Sequence, residues 1–157
     1  MMMIKIRKAN ISDVESLFRC HDYFMEHHIK RDKRFTLKTG AKEKWIDQIT
    51  ESVKDPCTLV LAAENQSVIV GCAYVIIRKG AIDFGPEKIG YLCDVYVGPD
   101  FRRQGIARRF LLFAQEWLRE NGINTIEASW SPNSTEAAHT WSALGFIPLS
   151  VSGQLKF

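Results

Sequence analysis

Long apolar runs are missing from this chain of 157 residues. Runs such as Val68-Ile69-Val70 and Tyr74-Val75-Ile76-Ile77 are interrupted by Gly71 and closed by Arg78, far short of the roughly 20 residues of a membrane-spanning helix. The stretch from Met1 to Arg7 passes straight into alternating apolar and basic residues, with no apolar signal region, so a cytoplasmic protein is expected. Cys20, Cys57, Cys72 and Cys93 show no C-x-x-C pairing and no histidine at metal-ligand spacing. That pattern argues against a zinc site or a disulfide framework and leaves buried free thiols as the expectation. A strong charge of one sign is missing too: the formal net charge of +3 is too small to argue nucleic-acid binding by itself. Internal repeats, low-complexity stretches and linkers are also absent, so residues 1–157 are expected to form a single domain.

What is present is the composition of one packed core, 46% hydrophobic and 25% charged. Ile4 and Ile6 alternate with Lys5 and Arg7 as a half-buried first strand, and the spacing of Ser12 and Glu15 predicts a capping box opening a helix. That helix is expected to bury Val14, Leu17, Phe18, Phe24 and Met25. Trp45, Ile46, Ile49 and Val53 share one face of a second helix, ended by Asp55-Pro56. The runs Thr58 to Ala63 and Val68 to Arg78, separated by Glu64-Asn65-Gln66-Ser67, read as an antiparallel hairpin, and a further strand runs from about Ile89 to Val97. Gly98-Pro99-Asp100 stops it, and a helix follows from Gly105 to Asn121-Gly122. A strand near Asn124 to Trp130, a helix from Ser134 to Leu144 and a terminal hairpin over Ile147 to Phe157 complete the order βααβββαβαββ. Hairpins mixed with one crossover helix indicate an α+β or mixed-sheet α/β fold.

Basic residues gather in two places, Lys30 to Arg34 and Arg102, Arg103, Arg108 and Arg109. The second group surrounds a strand that feeds a tight turn opening a helix, Tyr91 through Val97 to Arg102-Arg103-Gln104-Gly105-Ile106-Ala107. A helix N-terminus offers unpaired N–H groups and partial positive charge, small residues at 105 and 107 allow close approach, and guanidinium groups pair with phosphate oxygens. From Gly105 alone, an ordinary strand-turn-helix unit with solvated arginines would be the safer reading. The whole pattern resembles the signature of the GNAT superfamily of acetyl-CoA-dependent N-acetyltransferases: Arg or Gln, two residues, Gly, one residue, then Gly or Ala. Arg102, Gly105 and Ala107 fill those positions, and Asn133-Ser134, Ala137, Trp141 and Leu144-Gly145-Phe146 are similar to the superfamily's later helix.

The resemblance implies a GNAT-like sheet flanked by helices, acetyl-CoA as co-substrate and an amine as acceptor, with no metal. It implies that backbone groups of Val95 and Val97 hold the acetyl carbonyl and pantetheine arm. The pyrophosphate would sit on the N–H groups of Arg103, Gln104, Gly105, Ile106 and Ala107, with Arg102 and Arg108 nearby. The strand after residue 123 would splay from its neighbour to admit the pantetheine, beside Asn133 and Trp141 of the later helix. Trp141 stands where many relatives carry a tyrosine that protonates the leaving thiolate, and an indole is a very poor acid. Water or another residue then protonates the sulfur, or that step needs little help. Tyr91-Leu92-Cys93-Asp94 resembles the strand of spermidine/spermine N-acetyltransferases, with Cys93 in place of a catalytic Glu. Asp94 is the titratable candidate for general base, against the alternative of a carboxylate that orders the strand. Strand alternation puts Tyr91, Cys93 and Val95 opposite Asp94 and Tyr96 unless a bulge intervenes. A covalent route through Cys93 ranks behind direct attack.

Acceptor recognition is expected from the segment carrying His21, Asp22, Tyr23, Glu26, His27 and His28, although each is individually consistent with a solvated helix face. Asn133 or Ser134 is expected to cap the last helix. Two other functions fit the sequence: a catalytically silent acetyl-CoA-binding sensor or scaffold, and, more weakly, a nucleic-acid-binding domain using the arginines from 102 to 109. A homodimer through the sheet edge or terminal strands is in keeping with the superfamily.

Overall fold

A computed structural model describes residues 3–157. Five strands form one sheet in the order β1 (Lys5–Lys8), β2 (Thr58–Asn65), β3 (Val68–Lys79), β4 (Lys88–Val97) and β5 (Ile126–Ala128). The first four pair antiparallel; β4 and β5 are parallel, joined by the crossover helix α3 (Ile106–Glu120). Helices α1 (Val14–Arg31) and α2 (Ala41–Ser52) connect β1 to β2, and α4 (Thr135–Ala143) follows β5.

Both faces of the central strands are covered, which is why β2 reads as nearly continuous apolar sequence. Leu59, Leu61 and Ala63 point to the α3 side, where Val75, Leu92, Ile106, Phe110, Trp117 and Leu118 close the larger core. Val60 and Cys72 point to the other side and meet Leu17, Cys20 and Ile49 from α1 and α2. Of the residues expected to be buried on α1, only Leu17 is fully so; Val14, Phe18, Phe24 and Met25 are half-buried, and Cys20 takes the second buried position.

Three local expectations are corrected. The capping box uses Asn10 and Asp13, not Ser12 and Glu15: the Asn10 side chain accepts from the Ser12 N–H at 2.9 Å, and the Asp13 carboxylate accepts from the Asn10 N–H at 2.8 Å. The earlier pair wins because Asp13 also takes two bonds from the Arg7 guanidinium, at 2.7 and 2.9 Å, which anchors the turn to β1. Residues 147–157 form no hairpin; they are irregular, with Ile147, Leu149, Val151, Leu155 and Phe157 exposed. Cys57, expected to be buried, is exposed, while Cys20 and Cys72 are buried and Cys93 half-buried, all as free thiols.

The β3–β4 register shifts once, and this decides the site. Tyr74 pairs with Asp94 but Val75 pairs with Leu92, leaving Cys93 as the extra residue of a bulge. In a regular strand Leu92 and Asp94 would share a face. Here Leu92 packs into the α3-side core while Asp94 lies opposite Tyr74, on the α1–α2 side.

Candidate active site

The edge of β4 that faces away from β3 can be read from the hydrogen-bond phase. The Gly98 N–H donates to the Val70 carbonyl at 2.8 Å, so Gly71 and Val97 are a non-hydrogen-bonded pair, and so are Ala73 and Val95 two residues on. The N–H and C=O groups of Val95 and Val97 therefore point toward β5. That neighbour has already stopped: its pairing with β4 covers only Gly90–Ile126, Tyr91–Glu127 and Leu92–Ala128. The strands thus hold together past residue 123 and part at Ala128, immediately beside the bulge. Among the described residues, one main-chain group along this edge has a side-chain partner, the Val97 carbonyl, which accepts from Arg102 Nε at 3.0 Å.

Beyond Val97 the turn is built for exposed N–H groups. A 3-10 turn over Pro99–Phe101 leads to Arg103 and Gly105, both left-handed at φ 60° and 75°. Successive N–H groups in such a conformation converge on one side of the chain, and the α3 N-terminus adds its own. The backbone N–H groups of residues 103–108 meet no protein acceptor among the described residues. A Cβ added at Gly105 would meet nothing within 4 Å, so glycine here serves the backbone angle and an open approach. Arg103, Arg108 and Arg109 are exposed and make no ion pair among the described residues, whereas Arg102 is engaged. Its guanidinium meets Glu136 at 3.4 Å, the same carboxylate that meets Arg31 at 3.2 Å. Arg31 also donates to the Ser134 hydroxyl at 2.5 Å. Ser134 is the cap of α4, accepting from the Ala137 N–H at 3.3 Å, while Asn133 stays exposed. One cluster therefore ties the end of α1, the turn and the start of α4 together.

Trp141 is half-buried, packed edge-on to Phe146 with ring centroids 5.3 Å apart and resting on the larger core.

On the α1–α2 side lies a cavity of about 200 Å³. Asp94 and Cys93 form part of its floor, with Cys72, Tyr74 and Tyr96; Leu17, His21 and Phe24 of α1 and Trp45, Gln48 and Ile49 of α2 form its walls. Burial pushes the Asp94 carboxyl up to about 6, near the range in which a carboxylate works as a base at neutral pH. Burial and the neighbouring Asp94 charge push the Cys93 thiol up to about 11, so it is protonated at neutral pH and unsuited to a covalent route. Burial also holds His21 down at about 4, hence neutral, with its ring stacked on Trp45 at 4.5 Å.

Of the α1 residues expected to meet the acceptor, His21 lines the cavity and Tyr23 stacks on Tyr96 at 6.1 Å. Asp22, Glu26 and His27 are exposed outside it, and His28 packs against Phe24 and Phe35. The sequence reading missed Gln48, Cys72 and Tyr74 as site residues and treated Trp45 only as core. The signal lay in Gln48, an exposed polar residue three positions after Trp45 on α2 that reaches the rim of the cavity. Among the described residues, no group of three or more His, Cys, Asp or Glu side chains could hold a metal ion, and no helix is long and apolar enough to cross a membrane.

The profile of the Acetyltransferase (GNAT) family matches residues 20–146, a span holding the cavity floor, the open strand edge and the turn. The chain belongs to the GNAT acetyltransferase family. It is 27% identical over 128 residues to mycothiol acetyltransferase of Cellulomonas flavigena, covering 80% of this chain and 35% of that protein. It is also 27% identical over 85 residues to aminoglycoside N(6')-acetyltransferase type 1 of Salmonella typhimurium, covering 54% of this chain and 59% of that protein. The chain thus matches only part of the length of these relatives. Its GNAT fold aligns with the aminoglycoside N-acetyltransferase AAC(6')-Iy in complex with CoA, at a TM-score of 0.80 and 18% identity, over 100% of this chain and 96% of the other. A predicted acetyltransferase from Clostridium acetobutylicum with acetyl-CoA aligns at 0.79 and 17% identity, over 98% of this chain and 96% of that one.

Proposed function

We propose that this GNAT protein is a single-domain cytoplasmic N-acetyltransferase that passes the acetyl group of acetyl-CoA to a primary amine by direct attack. The observation that carries the reading is a pair of free donor groups, one on the strand edge and one in the turn that follows it. The first is the outward N–H groups of Val95 and Val97, the second the N–H groups of residues 103–108, with the internally bonded residues 98–102 between them. Such a pair suits an amide-containing arm followed by a pyrophosphate. Val95 and Val97 bind the acetyl carbonyl and pantetheine, with the exposed Asn133 and the indole of Trp141 on the far side of the slot. Arg103, Gln104, Gly105, Ile106 and Ala107 cradle the pyrophosphate, and Arg108 adds charge. Arg102 positions the turn from behind by holding Val97 and Glu136.

In this scheme the neutral amine attacks the thioester carbon, and the Asp94 carboxylate takes the proton from the nitrogen. The C–S bond then breaks and solvent protonates the CoA thiolate. No metal takes part. The exposed apolar side chains of residues 147–157 support a homodimer through that segment. A monomer by light scattering would remove the dimer and leave the rest intact.

The test of the activity is acetyl-CoA binding by calorimetry together with release of free CoA across a panel of primary amines. Saturable binding with amine-dependent CoA release is expected. Binding without release from any amine would assign a silent acetyl-CoA-binding module instead.

A further inference from the structure

The acid content of the cavity limits what can enter it. Asp94 is the single carboxylate among the lining residues. The other acids of the two covering helices, Glu15, Asp22 and Glu26 on α1 and Glu43, Asp47 and Glu51 on α2, are exposed and do not line it. The Tyr74 hydroxyl is already bonded to Ser52 Oγ at 3.1 Å. An acceptor with several ammonium groups would leave all but one without a charged partner inside an apolar enclosure, where an unpaired charge is strongly unfavourable.

The remaining walls favour flat, apolar matter. Phe24 and Trp45 face the floor to which Tyr96 belongs, and stacking fixes two of the three rings: Trp45 on His21 with planes 17° apart, and Tyr96 on Tyr23 with planes 11° apart. Aromatic walls held in fixed planes favour a ring over a flexible chain. A cavity of about 200 Å³ is larger than the roughly 150 Å³ that admits benzene and smaller than pockets for drug-sized ligands.

We propose that the acceptor is a compact primary monoamine carrying one apolar ring, an arylalkylamine, with its ring against Phe24, Trp45 and Tyr96 and its nitrogen at Asp94. This rests on the N-acetyltransferase reading and names the substrate class of the same site. The bond changes are those of direct transfer: the amine nitrogen forms the new C–N bond and the C–S bond breaks. The nitrogen's proton passes to Asp94, and the sulfur takes one from solvent.

The experiment compares 2-phenylethylamine, n-butylamine, spermidine and kanamycin as acceptors. CoA release is measured with acetyl-CoA, and amine binding to the CoA-loaded protein is measured by calorimetry. Expected is a kcat/KM for 2-phenylethylamine at least about tenfold above each of the others, the scale on which a filled apolar pocket discriminates. Trp45→Leu should shrink the ratio of 2-phenylethylamine to n-butylamine, chiefly through KM. Spermidine or kanamycin matching or exceeding 2-phenylethylamine in kcat/KM overturns the inference while leaving the N-acetyltransferase reading intact. Tighter binding of 2-phenylethylamine than of the polyamines, without CoA release from any amine, removes the catalytic reading and upholds ring selection. Equal binding of all four amines overturns ring selection whatever the turnover.

Discussion

Asp94 is the residue to which the proposed base chemistry is assigned: its carboxylate is expensive to bury, and among the described residues no ion pair offsets the cost. With its pKa raised to about 6 by burial, it is protonated at pH 5 and ionised at pH 7. If it accepts the amine proton, kcat should climb with pH through a midpoint near 6. Asp94→Asn should lower kcat by about 100-fold or more and abolish that limb of the profile, with acetyl-CoA affinity retained, as steady-state kinetics and calorimetry would read. The same raised pKa means that ionised Asp94 destabilises the fold. Relative to the wild type, Asp94→Asn should gain thermal stability above about pH 6, and the gain should vanish below about pH 4, where the side chain is neutral both folded and unfolded. A mutant less active yet more stable at neutral pH is the signature of a functional rather than a structural carboxylate. The residue type was legible in the sequence, since Asp94 was the one acid in the strand leading to the turn. Its burial was not legible, because it depends on walls from α1 and α2 that are distant in sequence.

At the scale of elements, the strand and the turn are held at close quarters. A Cβ at Gly71 would lie 2.7 Å from the Tyr96 carbonyl, a backbone atom that cannot swing aside. Gly71→Ala should therefore push β3 from β4, cost about 1–3 kcal/mol and weaken activity through the displaced Asp94–Val97 edge. Denaturant melts with parallel kinetics would show both effects. Glu136→Ala acts differently, freeing Arg31 and Arg102 at an exposed carboxylate. It should leave stability nearly unchanged, because solvated ion pairs contribute little, while raising the KM for acetyl-CoA several-fold as Arg102 loses its tether. The elements themselves were largely legible. Strands β2, β3 and β4 and helix α3 follow from apolar periodicity bounded by Pro, Gly and Asn. The Arg31–Glu136–Arg102 cluster was not legible, since nothing in a linear pattern connects residues 105 positions apart. Nor was the terminal hairpin, because the alternation of Ile147, Leu149 and Val151 speaks of strand propensity and not of a strand to pair with.

For the whole molecule, binding energy should appear as stability. A ligand present at about 100 times its Kd adds about 2.7 kcal/mol to a fold that binds it only when native. Acetyl-CoA should therefore raise the melting temperature by several degrees, and the shift should be largely lost in an Arg103→Glu, Arg108→Glu double variant whose unliganded melting temperature is unchanged. Thermal scans with and without acetyl-CoA decide it. Mixed-sheet topology was legible because hairpins and a crossover helix follow one another in a fixed order. The placement of the cavity across the sheet from α3 required the register, which no single strand reveals.

That register has a genetic consequence. Cys93 is the one residue of β4 without a counterpart on β3, and the β4–β5 ladder ends at the position just before it. Removing that single codon would keep Leu92 and Asp94 on their present faces, because a regular strand places consecutive residues on opposite sides. It would also straighten a strand that the bulge bends. The expected product is a protein with an intact core and a zippered β4–β5 seam that no longer takes up acetyl-CoA. In this sheet, opening or closing the seam is then a matter of one in-frame codon.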